Sequence, residues 1–192
     1  MGRVWIAIES LYSMEGDTAP LADFDRLARA HDAMLVLDEA HATGVLGPEG
    51  RGLGADLDGK SHVVSLHTCG KALGVMGALV LAPRTLHDFL VNRARPFIYA
   101  TAPSPLMAAG VRAALRLSAS APQRRETLAR RVALFGRALE EQCGIAATGT
   151  QIQPIIVKSD TRAVAIAAAL QDHGFDVRAV RPPTVPEGTA RL

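Results

Sequence analysis

Ala33-Met34-Leu35-Val36-Leu37-Asp38-Glu39-Ala40-His41 and Val63-Val64-Ser65-Leu66-His67-Thr68-Cys69-Gly70-Lys71 are the two segments on which the reading of this chain turns. Each begins as a short apolar run and ends abruptly in polar residues. Continuous rather than alternating apolar runs read as strands covered on both faces, the pattern of a parallel sheet. In an open parallel sheet, ligands bind in the crevice outside the carboxyl ends of the strands. Asp38 ends the first run and Lys71 lies just past the second, so an acid and an amine are aimed into one crevice.

Working outward, Val4 to Ile8 reads as a further buried strand, followed by a loop from Leu11 to Asp17. Pro20 to Ala30 reads as a helix with apolar positions at Leu21, Phe24, Leu27 and Ala28. A glycine-rich loop holding Gly44, Gly47, Gly50, Gly52 and Gly54 follows the central strand, and Ala78 to Leu81 reads as a strand stopped by Pro83. Strands alternating with helices or long crossovers predict an α/β fold with a parallel-rich sheet. Downstream, Thr85–Asn92 and Pro105–Ser118 read as helices, and Gln123–Gln142 as a long helix with apolar Leu128, Val132, Leu134, Phe135 and Leu139. Gln153–Val157 reads as a strand, Arg162–His173 as a helix closed by Gly174, and Phe175–Val180 as a strand. The chain thus divides into a first domain, residues 1–118, and a smaller α/β domain, residues 119–192.

Of the 192 residues, 48% are apolar and 21% charged, ordinary values for a folded globular chain and unlike those of a disordered one. A net charge of +2 from 21 basic and 19 acidic residues is too balanced to point to nucleic acid or membrane as a partner. Arg124, Arg125, Arg130 and Arg131 belong to a helical pattern and read as a solvated face. Cys69 and Cys143 match no zinc spacing and no secreted disulfide framework, which places the chain in a reducing compartment, the cytoplasm. No apolar run approaches the roughly 20 residues of a membrane span, and the amino terminus has no signal-peptide layout.

Taken alone, Asp38 reads equally as a helix N-cap. Taken with Lys71 it reads as the buried anion that faces a pyridinium nitrogen, Lys71 carrying pyridoxal phosphate as a Schiff base. Small-residue turns, Thr68-Cys69-Gly70 before Lys71 and Ala72-Leu73-Gly74 after it, let the backbone approach a ligand closely. A partly desolvated lysine there loses its proton more readily, as imine formation requires. Thr68 reads either as a plain loop hydroxyl or as a donor to a phosphate oxygen. His41 is either a satisfied loop histidine or a group at the cofactor's edge that bonds its phenolic oxygen. His31, His62 and His67 have no metal-ligand spacing, and no metal is assigned.

Leu35 to His41 also spells the acidic-strand segment of a DEAH-type helicase, and Gly54-Ala55-Asp56-Leu57-Asp58-Gly59-Lys60-Ser61 satisfies the P-loop pattern. Its context excludes it. A P-loop needs a strand before it and a helix after it, whereas here a glycine-rich loop precedes and a strand follows.

Asp38 through Gly47, then Gly50-Arg51-Gly52, with Glu9–Asp17 and Thr68–Gly74, resemble the α-oxoamine synthases, which are fold-type I pyridoxal-phosphate enzymes. The resemblance runs from Val4 to Leu192. It implies the C-terminal part of a cofactor-binding large domain followed by an incomplete small domain. Arg181 to Leu192 resembles most the member that condenses L-alanine with a pimeloyl thioester, on acyl carrier protein or coenzyme A, with loss of carbon dioxide, in biotin biosynthesis. Sister members use glycine with acetyl or succinyl thioesters. By this resemblance Lys71 is the Schiff-base lysine and proton-transfer base, Asp38 the pyridinium partner, and His41 the contact to the ring oxygen. Ser13 and Thr68 bind cofactor oxygens, Thr184 lies on the substrate side, and Thr101 reaches the phosphate of the neighbouring subunit of a homodimer. The resemblance places a phosphate loop and a ring-stacking histidine upstream of this chain and a substrate-clamping arginine just after Leu192, a role Arg191 does not take. It therefore implies a chain truncated at both ends, with weak activity on its own or none, as in a non-catalytic remnant.

Overall fold

A computed structural model describes residues 2–192, which form two compact units: one of the residues up to Ser13 with Asp17–Leu128, the other of Met14–Gly16 with Ala129–Leu192. The division falls inside a helix, at Leu128/Ala129, whereas the sequence reading divides the chain at 118/119.

In the first unit, β1 (Trp5–Glu9), β2 (Met34–Asp38), β3 (Val63–Thr68) and β4 (Ala78–Leu81) make a sheet in that order. β1, β2 and β3 are parallel, and α1 (Leu21–Ala30) is the crossover between the first two. β4 runs antiparallel to β3. The connection from Cys69 to Gly77 explains the reversal, since it is shorter than the dozen or more residues a parallel crossover needs.

Ala28, Ala33, Leu35, Leu37, Leu57 and Val63 form the core, with Ile6, Ile8, Leu21 and Phe24 packed on it. Burying side chains the size of Leu35 or Leu37 contributes roughly 1.5–3 kcal/mol each. On α1 the inner stripe is Leu21, Phe24, Asp25 and Ala28, at the helical spacing i, i+3, i+4, i+7. Leu27 falls beside that stripe and is 46% exposed, against the sequence expectation. Asp25, a charged residue, takes the inner place. The sheet is not covered throughout either: Trp5 on β1 and Val80 on β4 are about half exposed.

After β4 come α2 (Arg84–Arg93), α3 (Arg95–Ile98) and α4 (Pro105–Ala119). Ser104 starts α4 by accepting the Leu106 amide at 3.3 Å, with Pro105 at the first helical position. α5 (Pro122–Cys143) then runs through the division between the units.

In the second unit the buried stripe of α5 is Gly136 and Leu139 with half-buried Val132. A Cβ at Gly136 would lie 2.8 Å from that of Ala147, so only glycine fits there. Leu134 and Phe135, expected on the inner face, are 62% and 50% exposed. α6 (Asp160–Asp172) starts at the Ser159 cap, two residues earlier than expected. β5 (Ile156–Lys158) pairs antiparallel with β6 (Ala190–Arg191), a strand the sequence reading lacks. The strand expected at 175–180 is reduced to one bridge, Val180 to Arg191. Local bonds take its backbone instead: the Phe175 amide donates to Leu170 and the Gln171 side chain to the Val177 carbonyl.

Candidate active site

The carboxyl ends of the parallel strands carry a row of acids. Register puts Glu9, the last residue of β1, beside Asp38, the last of β2. Glu39 follows, and β3 ends in Thr68 before the turn that holds Lys71. That turn is closed by the Cys69 amide on Gly77 (2.8 Å), the Val75 amide on Cys69 (2.9 Å) and the Gly74 amide on Lys71 (3.0 Å). Gly74 and Gly77 take positive φ, +64° and +114°, which glycine adopts without strain. The glycine-rich loop abuts the turn: a Cβ on Gly44 would stand 2.8 Å from that of Ala72.

Glu39 fixes that loop. Its side chain is 1% exposed and accepts the Ser10 hydroxyl at 2.7 Å, the Leu53 amide at 3.1 Å and the Gly54 amide at 2.5 Å. The carboxylate fills the space a side chain at 52 would need, and with the Leu37 side chain the space at 54, so glycines stand there. Thr43, on the turn after Glu39, donates its hydroxyl to the Glu39 carbonyl at 2.7 Å and meets Nδ1 of His67 at 2.9 Å. The hydroxyl proton is thereby committed, so His67 carries its proton on Nδ1.

Lys71 Nζ lies 3.0 Å from Nε2 of His41. An ammonium donates only, so His41 receives that bond through an unprotonated Nε2. Burial lowers the proton affinity of His41, the Lys71 charge lowers it further, and the carboxylates of Glu9 and Asp38 act in the opposite sense with a smaller effect. The net direction is downward, so the imidazole is held neutral beside the lysine. Asp38 is half-buried and its Oδ1 accepts the Ala40 amide at 2.7 Å, an Asx-type turn rather than a helix cap. The Oδ2 of Asp38 carries no hydrogen bond among the described residues. Thr68 Oγ1 is buried and has no hydrogen-bond partner among the described residues. Ser13 donates its amide to Glu9 Oε2 at 2.9 Å, and its hydroxyl lies 3.5 Å from Oε1.

The structure therefore brings together Lys71, His41 and Asp38, with Thr68 at the adjacent strand end and Ser13 attached through Glu9. Thr101 is exposed between α3 and α4 and joins none of these bonds. Thr184 lies in the second unit, in a turn where its amide donates to the Arg181 carbonyl at 3.0 Å. The desolvation expected at Lys71 is not provided by this chain, in which the residue is exposed. Cys69, two residues before it, is buried, and burial pushes its thiol up, so it is no competing nucleophile. Lys60 of the P-loop look-alike donates to Asp25 at 3.1 Å, and β3 follows it directly. Among the described residues no cluster of three or more His, Cys, Asp or Glu side chains is arranged to hold a metal. Glu9 and Glu39 were given no role in the sequence reading, although Ile8-Glu9-Ser10 repeats the pattern of Leu37-Asp38: an apolar strand ending in an acid.

The sequence profile of the family described as aminotransferase class I and II matches residues 1–192. The chain belongs to that family. The 8-amino-7-oxononanoate synthase of Anaeromyxobacter sp. (strain K) is 44% identical over 198 residues, covering 99% of this chain and 48% of its own length. A serine palmitoyltransferase variant from S. paucimobilis, solved with bound PLP–myriocin aldimine, superimposes with a TM-score of 0.89 at 28% identity, covering 98% of this chain and 48% of its own. An 8-amino-7-oxononanoate synthase structure from Francisella tularensis gives a TM-score of 0.81 at 25% identity, over 100% of this chain and 56% of that one. The fold class expected from the sequence agrees with these matches. This aminotransferase-family chain spans about half the length of the curated relatives it matches.

Proposed function

We propose that this chain is part of an 8-amino-7-oxononanoate synthase, a pyridoxal-phosphate enzyme that condenses L-alanine with a pimeloyl thioester. In that reaction a bond forms between the amino acid's alpha carbon and the acyl carbon, the thiol leaves, and the carboxylate departs as carbon dioxide. The observation that carries the reading is the Lys71–His41 pair at 3.0 Å, set at strand ends closed by Asp38, in a chain 44% identical to a synthase of that name.

The residues fit the cofactor. Asp38 keeps one carboxylate oxygen without a hydrogen bond among the described residues, as a pyridinium N–H requires. The buried hydroxyl of Thr68 has no hydrogen-bond partner among the described residues and suits an anionic oxygen. When bound, pyridoxal phosphate supplies an electron sink for the pair left at the alpha carbon of the amino acid. Lys71 would hold it through its Nζ and would move the alpha proton. Asp38 favours the protonated ring, and His41, held neutral, orients Lys71 and offers a hydrogen bond to the ring oxygen. Ser13 and Thr68 bind cofactor oxygens. Thr101 serves the neighbouring subunit of a homodimer, and Thr184 the substrate side. Residues 1–118 then represent the cofactor-binding large domain and 119–192 the small one, in a cytoplasmic protein whose two cysteines are free thiols.

One experiment tests this. Adding pyridoxal phosphate to the purified chain is expected to raise a visible absorbance band that Lys71→Ala abolishes. The same band with both proteins, or with neither, removes the assignment of Lys71. A second reading, a sister member acting on another amino acid, is favoured by the higher TM-score to serine palmitoyltransferase. Exchange of the alpha proton in heavy water separates them: L-alanine exchanges faster than glycine or L-serine if the synthase reading holds.

A further inference from the structure

We propose that Glu9 is a positioning residue of this site: from the end of β1 it holds the Ser13 turn by its amide and sets a second carboxylate, beside Asp38, against the His41–Lys71 pair. The inference rests on the functional reading above and adds to it a residue that the reading does not use.

Three observations support it. Parallel register fixes Glu9 next to Asp38, so its place is set by the same ladder that places the acid of the site. The side chain reaches forward four residues to accept the Ser13 amide at 2.9 Å, which restrains the start of a loop otherwise closed by Ser10 on the Asp38 carbonyl (2.9 Å) and Tyr12 on the Asp17 carbonyl (2.9 Å). The carboxylate is half-buried and in no ion pair among the described residues, so its charge is not cancelled locally. That charge is felt at His41, where Glu9 and Asp38 both oppose the effect of Lys71. Lys71, Glu9 and Asp38 are among the charged groups acting on that ring. A neutral donor such as a backbone amide binds the carboxylate without neutralising it, which lets one side chain hold a turn and act on a neighbouring ring.

Two substitutions separate these effects. Glu9→Gln keeps an acceptor oxygen for the Ser13 amide and removes the charge; Glu9→Ala removes both. The chain without cofactor is titrated by NMR, following the His41 ring, and hydrogen exchange is read at the Ser13 amide. In Glu9→Gln the His41 midpoint is expected to fall while Ser13 stays protected. In Glu9→Ala the midpoint falls and Ser13 exchanges as fast as an open loop. An unmoved His41 midpoint in Glu9→Gln, or unchanged Ser13 protection in Glu9→Ala, overturns the proposal. Pyridoxal phosphate titrations then show weaker binding in Glu9→Ala than in Glu9→Gln. If the wild-type chain takes up no cofactor, the functional reading fails, and the two cofactor-free readouts still decide the role of Glu9.

Discussion

The two ends of the first unit's sheet handle carboxylates in opposite ways. At the amino-terminal end, Asp25 is buried and surrounded by bases: His62 Nε2 at 2.8 Å, Arg29 at 3.0 Å and Lys60 at 3.1 Å. At the carboxyl end, Glu9, Asp38 and Glu39 are held by amides and a hydroxyl, and none of them enters an ion pair among the described residues. Charge is cancelled where the sheet only needs to be held together. It is preserved where Lys71 and His41 meet. The second arrangement leaves carboxylate charge uncompensated by ion pairs at the strand ends, among the described residues.

The contrast can be broken most severely at Glu39. Glu39→Ala leaves two backbone amides and the Ser10 hydroxyl buried without an acceptor. At about 1–3 kcal/mol for each unpaired donor, a loss of roughly 3–9 kcal/mol is expected. Urea unfolding checks this, and a loss under about 1 kcal/mol would show that the loop finds other partners.

Asp25→Asn should cost less, about 1–3 kcal/mol, because two of its partners, Arg29 and Lys60, reach solvent. Unlike the effect at Glu39, it should shrink as salt is added. It also has a pH signature. Burial raises the proton affinity of Asp25, but the hydrogen bonds from His62 and Lys60 and the charges of Lys60 and Arg29 outweigh it, so the carboxyl titrates below its ordinary range. The folded state then binds this proton less readily than the unfolded chain. The stabilisation is complete above the ordinary carboxylate range and is lost as pH falls through the depressed value. Comparing the unfolding midpoints of the wild-type chain and the Asp25→Asn variant across acid pH tests the sign: the gap should close on acidification.

Smallest in stability is Lys71→Ala, within about 0.5 kcal/mol for an exposed side chain. Its effect belongs to His41, whose titration midpoint should rise once the neighbouring ammonium is gone. A fall would mean that the Lys71 charge does not lower the proton affinity of the ring.

Much of this was legible in the chain itself. Short apolar runs, Val4 to Ile8, Ala33 to Leu37 and Val63 to Leu66, marked β1 to β3, and the placement of Lys71 after the third marked the crevice. The antiparallel direction of β4 could have been read too, from the short link between Thr68 and Ala78. Asp25 could not, because helical spacing alone reads a charged residue on the apolar stripe as an outward one; two of its partners, Lys60 and His62, come from far along the chain. The strand expected at 175–180 failed for a related reason. Apolar alternation marks what can pair, and in this chain the last strand to pair, β6, lies at 190–191. Thr101 and Thr184 were named by resemblance only, and no hydrogen bond among the described residues links them to Lys71.

The hairpin that carries Lys71 also bears on the order in which the site is assembled. β3 and β4 are joined by a short turn, whereas Glu9 and Asp38 come together only after α1 and its loops have closed. Contacts between residues close in sequence form before those that must first close a long loop. The lysine is therefore set in its turn ahead of the acids that face it. Pulse-labelled hydrogen exchange during refolding would show this as earlier protection of the Cys69 and Val75 amides than of Ser10. Simultaneous protection would mean that strand-end acids and lysine turn arise in a single step.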